Sequence, residues 1–289
     1  MTKLIYIFII LTLVSCSEEP KVENKKSPTD PVVIDAELDG SDTILTVKYF
    51  YPSGKVRSIT KENTHRQKHG FEKSFFENGI QKYEIYFIGN NTPWGVGKGC
   101  SITGDTLDLG TLAFGVGSFN DYYDNGTPKA KGFYKDSKQD SLWTFFYPSG
   151  KVEREVNFKG GLQNGLFKRY FENGKLDYYA EWEYGNCIIS KDYFESGNIF
   201  KIIKYKNGKM HGQAVEYYDS PGKIRQTRVF EYGRENGVVM HYNISGKLES
   251  KSMMRDGEYV DTMYLYNDKG KVIDTKIIKP KGQATTTHI

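Results

Sequence analysis

The feature that most constrains this chain is a ladder of glycines at nearly constant spacing. Each glycine follows one or two aromatic residues and a pair of turn-forming residues, as in Phe146-Tyr147-Pro148-Ser149-Gly150. We predict that these glycines are structural turn residues: Gly54, Gly79, Gly126, Gly150, Gly174, Gly197, Gly222, Gly246 and Gly270. Their spacings are 25, 47, 24, 24, 23, 25, 24 and 24 residues. A fixed period of this length indicates stacked structural repeats rather than independent domains.

A second turn signal recurs nine or ten residues before the next ladder glycine. It is visible at Lys68-His69-Gly70, Gln163-Asn164-Gly165, Met210-His211-Gly212 and Glu235-Asn236-Gly237. Between the turns, apolar and polar residues alternate, and Leu176, Tyr178, Ala180, Trp182 and Tyr184 share one parity. This period of two predicts half-buried antiparallel strands, so each repeat is turn, strand, turn, strand. No helical periodicity is evident after residue 16.

Residues 80–121 depart from the repeat and account for the 47-residue interval, which is close to two periods. The segment is rich in glycine at Gly95–Gly99 and again from Gly110 to Gly117, and no aromatic pair precedes a turn. It is therefore either an eroded repeat or an inserted loop. Gly95–Gly99 matches neither of the common phosphate-binding glycine patterns, which favours a flexible loop.

The N-terminus has the composition of a targeting segment. Residues 4–14 form an apolar run of 11 residues after Lys3, whereas a spanning helix needs about 20. The run ends in Leu13-Val14-Ser15-Cys16, which resembles the lipobox of bacterial lipoproteins. The resemblance implies cleavage before Cys16 and lipid attachment to Cys16; the alternative is an ordinary signal peptide with an incidental cysteine. The polar, proline-broken stretch that follows is typical of a disordered tether.

The repeat itself resembles the MORN-variant repeat, which is typical of bacterial proteins of the YwqK antitoxin-like family. The resemblance rests on the motif Tyr-Tyr-x-Asn-Gly-Lys, an alternating strand, a second glycine turn and an aromatic strand, in copies from about residue 50 to 270. It implies an all-β fold: an elongated array of antiparallel β-hairpins that forms one twisted, single-layer sheet. We expect the aromatic face of that sheet to be its core.

The sequence offers few candidates for chemistry. His65 and His69 are four residues apart, but on a strand they would lie about 13 Å apart, so a structural role is favoured over metal binding. Cys100 and Cys187 would face an oxidising compartment, yet three repeats separate them, which disfavours a disulfide. Ser58-Ile59-Thr60-Lys61 matches S-x-x-K only by letter, because that motif requires a helix. We predict no catalytic residue, no cofactor and no metal.

Lysines also recur directly after several ladder glycines. They are Lys55, Lys151, Lys175, Lys223, Lys247 and Lys271. Such a row would either bind an anionic polymer or lipid head groups, or form a solvated edge that prevents aggregation. Acidic residues are interspersed and the net charge is only +4, which favours the solvated edge and argues against a nucleic-acid partner.

These observations divide the chain into a signal peptide (1–15), a tether (16–31), a repeat domain (32–280) and a disordered tail (281–289). The first functional hypothesis is a non-enzymatic scaffold in the bacterial envelope, anchored at Cys16 to the outer membrane, which binds a protein or an envelope glycan. The periplasmic and the surface-exposed orientation are both open at this point. The second, from the family resemblance alone, is an antitoxin or immunity protein that neutralises a toxin by binding. The third is an enzyme with a site in residues 80–121.

Overall fold

The computed structural model describes residues 29–279 and 283–287. Cys16 and the predicted signal peptide lie outside the described residues. The described chain consists of 25 β-strands and contains no helix. The strands are β1 (Val32–Asp39), β2 (Asp42–Phe50), β3 (Val56–Asn63), β4 (Lys68–Phe75), β5 (Gln81–Phe87), β6 (Pro93–Cys100), β7 (Thr106–Leu107), β8 (Gly117–Tyr122), β9 (Pro128–Lys135), β10 (Lys138–Phe146), β11 (Val152–Lys159), β12 (Leu162–Tyr170), β13 (Leu176–Glu183), β14 (Asn186–Tyr193), β15 (Ile199–Lys206), β16 (Lys209–Met210), β17 (Gly212–Tyr217), β18 (Ile224–Glu231), β19 (Arg234–Glu235), β20 (Gly237–Tyr242), β21 (Leu248–Arg255), β22 (Glu258–Tyr259), β23 (Asp261–Tyr266), β24 (Val272–Lys279) and β25 (Gln283–Thr287).

The strands form two open antiparallel sheets in which chain neighbours pair. The first sheet runs from β1 to β7 in chain order. The second runs from β8 to β25, and the short strands β16, β19 and β22 extend the same hairpins as β17, β20 and β23. Among the described strands, no register pairs β25 with β8. The predicted fold, an all-β array of antiparallel hairpins with a period of about 24 residues, is therefore confirmed.

One kind of turn closes the hairpins at eight of the nine ladder glycines; at Gly222, where the turn has one extra residue, Tyr218 N donates to Lys223 O and Ser220 N donates to Tyr218 O. In the turn at Gly150, the N–H of Tyr147 donates to the carbonyl of Lys151 and the N–H of Gly150 donates to the carbonyl of Tyr147, both at 2.8 Å. All nine ladder glycines have φ between +68° and +97°. That is the left-handed region, which a Cβ disfavours, so a residue other than glycine would be strained there.

The second turn does not lie where the sequence placed it. Gly165 lies inside β12, while Gly212 and Gly237 open β17 and β20, and all three have positive φ. They are irregular positions in a returning strand and not turn residues. The hairpins reverse earlier, at two-residue turns with positive φ at both positions, such as Gly160-Gly161, which is the type I′ geometry that suits the strand twist.

The core of the second sheet is one row of residues along its middle. Cross-strand partners continue this row from strand to strand: Trp143, Val156, Phe167, Ala180, Ser190 and Ile203. All except Phe167 are buried. The aromatic residues that precede the ladder glycines were expected to form the core, but they are only half-buried, as at Tyr170 and Tyr193. Large and small side chains share the row, which allows a single layer to pack without a covering sheet.

Residues 80–121 form an eroded repeat, as one of the two sequence-based interpretations had it, and the inserted loop is wrong. Gly104 occupies a turn with the same paired hydrogen bonds, from Ser101 N to Asp105 O and from Gly104 N to Ser101 O. It lies 25 residues after Gly79 and 22 before Gly126, so it is the missing rung of the ladder. The aromatic pair is replaced there by Cys100 and Ser101, which concealed the repeat.

The glycines at Gly95–Gly99 form strand β6 and not a flexible loop. They leave room for the neighbouring chain: a Cβ at Gly99 would lie 2.8 Å from Leu109, and one at Gly97 would lie 2.9 Å from Glu84. The segment after β7 then packs between the two sheets, because Val96 N donates to the carbonyl of Leu112. Gly97 and Gly99 are therefore packing requirements.

The C-terminal prediction also changes. Gln283–Thr287 form β25, which pairs with β24, although the sequence predicted a disordered tail from residue 281. Among the described residues, none belongs to a helix with the length and apolar character needed to span a bilayer.

Candidate binding surface

The ladder glycines lie one per turn along one edge of the sheets, and neighbouring turns are joined by hydrogen bonds. Where the second aromatic of the pair is tyrosine, its hydroxyl donates to a backbone carbonyl at the start of the next turn. The four bonds are Tyr51 to Phe75 O (2.8 Å), Tyr123 to Phe146 O (2.7 Å), Tyr147 to Tyr170 O (2.7 Å) and Tyr218 to Tyr242 O (2.7 Å).

Other groups connect the turns that lack this tyrosine. Asn78 Nδ2 donates to Ile102 O at 2.9 Å, and Ile102 N donates to Asp124 O at 3.1 Å. Further along, Asp219 accepts hydrogen bonds from Ser196 and Asn198, which hold the pKa of its carboxyl below the usual value. Hydrogen bonds thus join every consecutive pair of turns from Gly54 to Gly246.

Two of the six recurrent lysines take part in this network. Lys151 Nζ donates to the carbonyl of Glu172 at 2.8 Å, and Lys175 Nζ donates to the carbonyl of Ser196 at 3.2 Å. Neither lysine is simply a solvated charge, because each ammonium caps the next turn. The sequence correctly identified the row but not its role in joining repeats.

A second row of side chains crosses the same sheet beside the core row. Its members are cross-strand partners from β10 to β20: Phe145, Arg154, Arg169, Tyr178, Asp192, Lys201, Glu216, Gln226 and His241. The contacts are local: the Arg154 guanidinium lies 4.1 Å from the Phe145 ring centroid, and Lys201 lies 3.6 Å from Glu216. The row thus pairs Lys201 with a carboxylate and stacks Arg154 on an aromatic ring.

Titratable groups in this row and beside it have shifted pKa values with clear causes. Burial raises the pKa of Asp192, and the positive charges of Lys201 and Arg169 oppose that shift. Burial raises the pKa of Tyr178 to about 12 and that of Cys187 to about 11. Burial, reinforced by nearby arginines, lowers the pKa of His241. These shifts accompany packing, and no group is activated as a nucleophile by them.

The histidines and cysteines considered above do not converge on one site. His69 Nε2 lies 2.7 Å from Asp39 Oδ2, and His241 Nε2 lies 3.2 Å from Gln226 Nε2. Within residues 29–279 and 283–287, no group of three or more potential ligands is arranged to hold a metal ion. Cys100 and Cys187 are both free thiols.

The segment proposed for an enzymatic site contains a small apolar pocket at the junction of the sheets. Phe76, Ile85 and Leu109 contribute to its wall, and Cys100 and Tyr83 also line it. Burial, reinforced by the Glu72 charge, raises the pKa of Tyr83 to about 12, so its hydroxyl is a poor acid or base near neutral pH.

In that segment, the polar side chains that most resemble a catalytic arrangement are those of Ser101, Thr103 and Asp105, which lie in one turn. The Asp105 carboxylate accepts hydrogen bonds from the hydroxyls of Thr103 (2.5 Å) and Ser101 (3.2 Å). These bonds lower the pKa of Asp105. A carboxylate with a lowered pKa is a weak base, so this trio stabilises the turn at Gly104 rather than activating a hydroxyl.

Exposed apolar side chains gather on the other face and at the hairpin tips of the second sheet. The most exposed around β12–β14 are Leu142, Leu162, Leu166, Tyr184 and Ile188. Two adjoining shallow depressions share Tyr184 and Ile188. Exposed apolar clusters of this kind are typical of interaction surfaces.

Four of the hairpins match the MORN repeat variant. The matched segments are 116–136, 139–159, 163–184 and 187–207. Each consists of a strand, a ladder-glycine turn and a strand. Together they cover less than a third of the chain, but the turns at Gly54 and Gly246, outside the matched segments, have the same paired hydrogen bonds.

Other comparisons add little. No curated protein matches the chain. Among solved structures, the chain is similar to a chain of the crystal structure of TcdB2-TccC3-Cdc42, with 11% identity and a TM-score of 0.17. The alignment covers 81% of this chain and 14% of that chain. A similarity at this level carries no argument about function.

Proposed function

We propose that this protein is a non-enzymatic binding scaffold of the bacterial cell envelope, anchored through a lipid on Cys16 in the outer membrane. It presents the second sheet to a protein or to an envelope polymer. The proposed localisation in the cell envelope is supported by the apolar run and the Leu13-Val14-Ser15-Cys16 sequence. The match of four hairpins to the MORN repeat variant is consistent with a binding role.

The observation that carries this proposal is the unbroken series of hydrogen-bonded turns. Consecutive turns from Gly54 to Gly246 are joined by side-chain or backbone bonds. Even the segment that departs from the sequence pattern, with its turn at Gly104, continues the series. A structure that uses its polar side chains to join repeats provides an ordered surface, which supports a binding role.

The first test is capture in the native host. The full chain would be tagged after Lys281, whole cells crosslinked, the envelope solubilised and the co-purifying material identified by mass spectrometry and sugar analysis. A Cys16→Ser variant provides the matched control for anchoring. We expect wild-type protein in the membrane fraction, release of the variant, and one stoichiometric partner or an enriched polymer.

The outcomes separate the hypotheses. A captured small toxin whose growth inhibition is relieved by this protein would establish the antitoxin alternative. A catalytic activity lost by a single substitution at Asp105 or Tyr83 would overturn the non-enzymatic proposal. Point substitutions are preferable to deleting the irregular segment, because β6 lies inside the first sheet.

A further inference from the structure

The hairpin tips of the second sheet contain two residues that do not suit their backbone conformation. The first residue of each tip has positive φ: Asp136 (+51°), Gly160 (+58°), Tyr184 (+44°), Asn207 (+51°), Tyr232 (+47°) and Asp256 (+53°). Glycine, asparagine and aspartate tolerate this region, and they dominate type I′ turns. Tyrosine is bulky and does not, so two tips carry an aromatic ring in a strained backbone conformation.

Both rings are exposed to solvent rather than packed into the fold. Tyr184 is 58% exposed and Tyr232 is 50% exposed. Lysines from the neighbouring hairpins lie near their faces, with Lys159 Nζ 5.7 Å from the Tyr184 centroid and Lys206 Nζ 6.0 Å from the Tyr232 centroid. A strained position that leaves half or more of the tyrosine exposed is the pattern expected where a side chain serves a ligand.

The surroundings of Tyr184 complete a site. Its backbone N–H donates to Asn164 Oδ1 at 3.1 Å, which fixes the tip. The depression on one side is lined by Asn164, Leu166, Glu181, Trp182, Glu183 and Ile188. The depression on the other side adds Asn186, Tyr205 and Asn207. The ring therefore stands between two shallow clefts that contain three amides and two carboxylates.

This chemistry matches a neutral carbohydrate. The C–H face of a hexose stacks on an aromatic ring. Its hydroxyls bond to amides, which donate and accept, and to carboxylates, which accept. Glu181 and Glu183 disfavour an anionic ligand, and the clefts are too open to enclose a desolvated protein anchor. We propose that the Tyr184 tip is a carbohydrate-binding site for a neutral hexose-based glycan.

The proposal deepens the proposed function, on which it rests, by naming the polymer class and the place where it binds. Its test uses a substitution that removes strain. Tyr184→Asn places a favoured residue in the type I′ turn, so a loss of binding cannot be attributed to misfolding. Tyr184→Phe keeps the ring, and Asp256→Asn makes a similar turn substitution at a tip without a ring.

The assay is saturation-transfer NMR on the full chain with three probes: cellotetraose, chitotetraose and β-1,4-galactotetraose. We expect transfer to the ring C–H protons of at least one probe in wild type, Tyr184→Phe and Asp256→Asn. For Tyr184→Asn we expect an affinity weaker by roughly tenfold or more. Thermal unfolding of each variant is measured in parallel.

Two results would overturn the site. One is undiminished transfer in Tyr184→Asn, which would place sugar binding elsewhere. The other is no transfer from wild type to any probe; if native-host capture still recovers a protein partner, the scaffold function stands and the glycan assignment alone fails. Failure of both experiments would count against the scaffold itself.

Discussion

The packing of Trp143 on Gly132 offers the sharpest test of the core. Gly132 lies directly beneath the Trp143 ring: a Cβ at Gly132 would lie 2.5 Å from the indole Cγ and closer still to two other ring atoms. Trp143 is 2% exposed, and its Nε1 donates to Phe133 O at 3.1 Å. The backbone at Gly132 lies outside the left-handed region, so Gly132→Ala changes only the space beneath the ring.

The expected loss of stability follows from the contacts that the Trp143 indole would lose. Moving the indole breaks one hydrogen bond, worth about 1 kcal/mol, and disturbs the edge contact with Tyr134 at 5.1 Å, worth about 1 kcal/mol. Strain in an overpacked core adds about 1 kcal/mol or more. We therefore expect Gly132→Ala to lower the free energy of unfolding by about 3 kcal/mol.

The measurement is urea unfolding followed by circular dichroism and tryptophan fluorescence. Gly95→Ala is the matched control, because its Cβ would make only ordinary contacts, the nearest at 3.5 Å from Leu112 O, and its effect should stay within about 1 kcal/mol of wild type. Trp143→Leu should remove most of the additional penalty of Gly132→Ala, which a double-mutant cycle measures. Equal midpoints for Gly132→Ala and Gly95→Ala would refute the packing argument.

Four other expectations follow from single contacts. Tyr147→Phe removes the bond between turns and should destabilise by about 1 kcal/mol, whereas Phe171→Tyr at the equivalent turn position should not destabilise; urea titration compares the two. Tyr184→Asn should raise the free energy of unfolding by about 1 kcal/mol, because asparagine tolerates the positive φ of this position better than tyrosine does. An unchanged melting temperature would contradict this. Burial raises the folded-state pKa of Asp192, so protonation stabilises the fold, and this stabilisation is lost as pH rises through the folded-state pKa. Asp192→Asn should therefore be more stable than wild type at pH 7. The difference between the two should vanish below about pH 4, where Asp192 is protonated in both states. With its pKa near 11, the Cys187 thiol should resist iodoacetamide at pH 8 until urea unfolds the chain, and peptide mass spectrometry would detect early alkylation.

The repeat and its hairpins could be predicted because turn chemistry and alternation are local properties of the sequence. Gly104 was missed because its turn lacks the aromatic pair, although Thr103-Gly104-Asp105 stands one period after Gly79. Spacing alone would have found it. The second turn was misplaced because a glycine such as Gly165 is required at positive φ within a strand for the same steric reason that turns require it.

Other parts of the candidate site depend on contacts between repeats, which no local pattern encodes. The Tyr147 hydroxyl meets a carbonyl 23 residues away, and Lys151 caps a turn 21 residues away. From the sequence, Tyr184 belonged to an alternating strand face. Its position at a tip depends on where the hairpin reverses, and a shift of a few residues converts a core prediction into an exposed ring.

The pairing of strands with their chain neighbours has a mechanical consequence. Tension applied across the array would pass through every hairpin in series and open the ladder by peeling, with a few backbone bonds loaded at a time. Each released repeat of 24 residues would lengthen the chain by about 80 Å. The hydrogen bonds between turns along one edge would resist each step separately. The repeats would therefore unfold one after another as tension increases, and the protein would extend in steps rather than unfold at one threshold force.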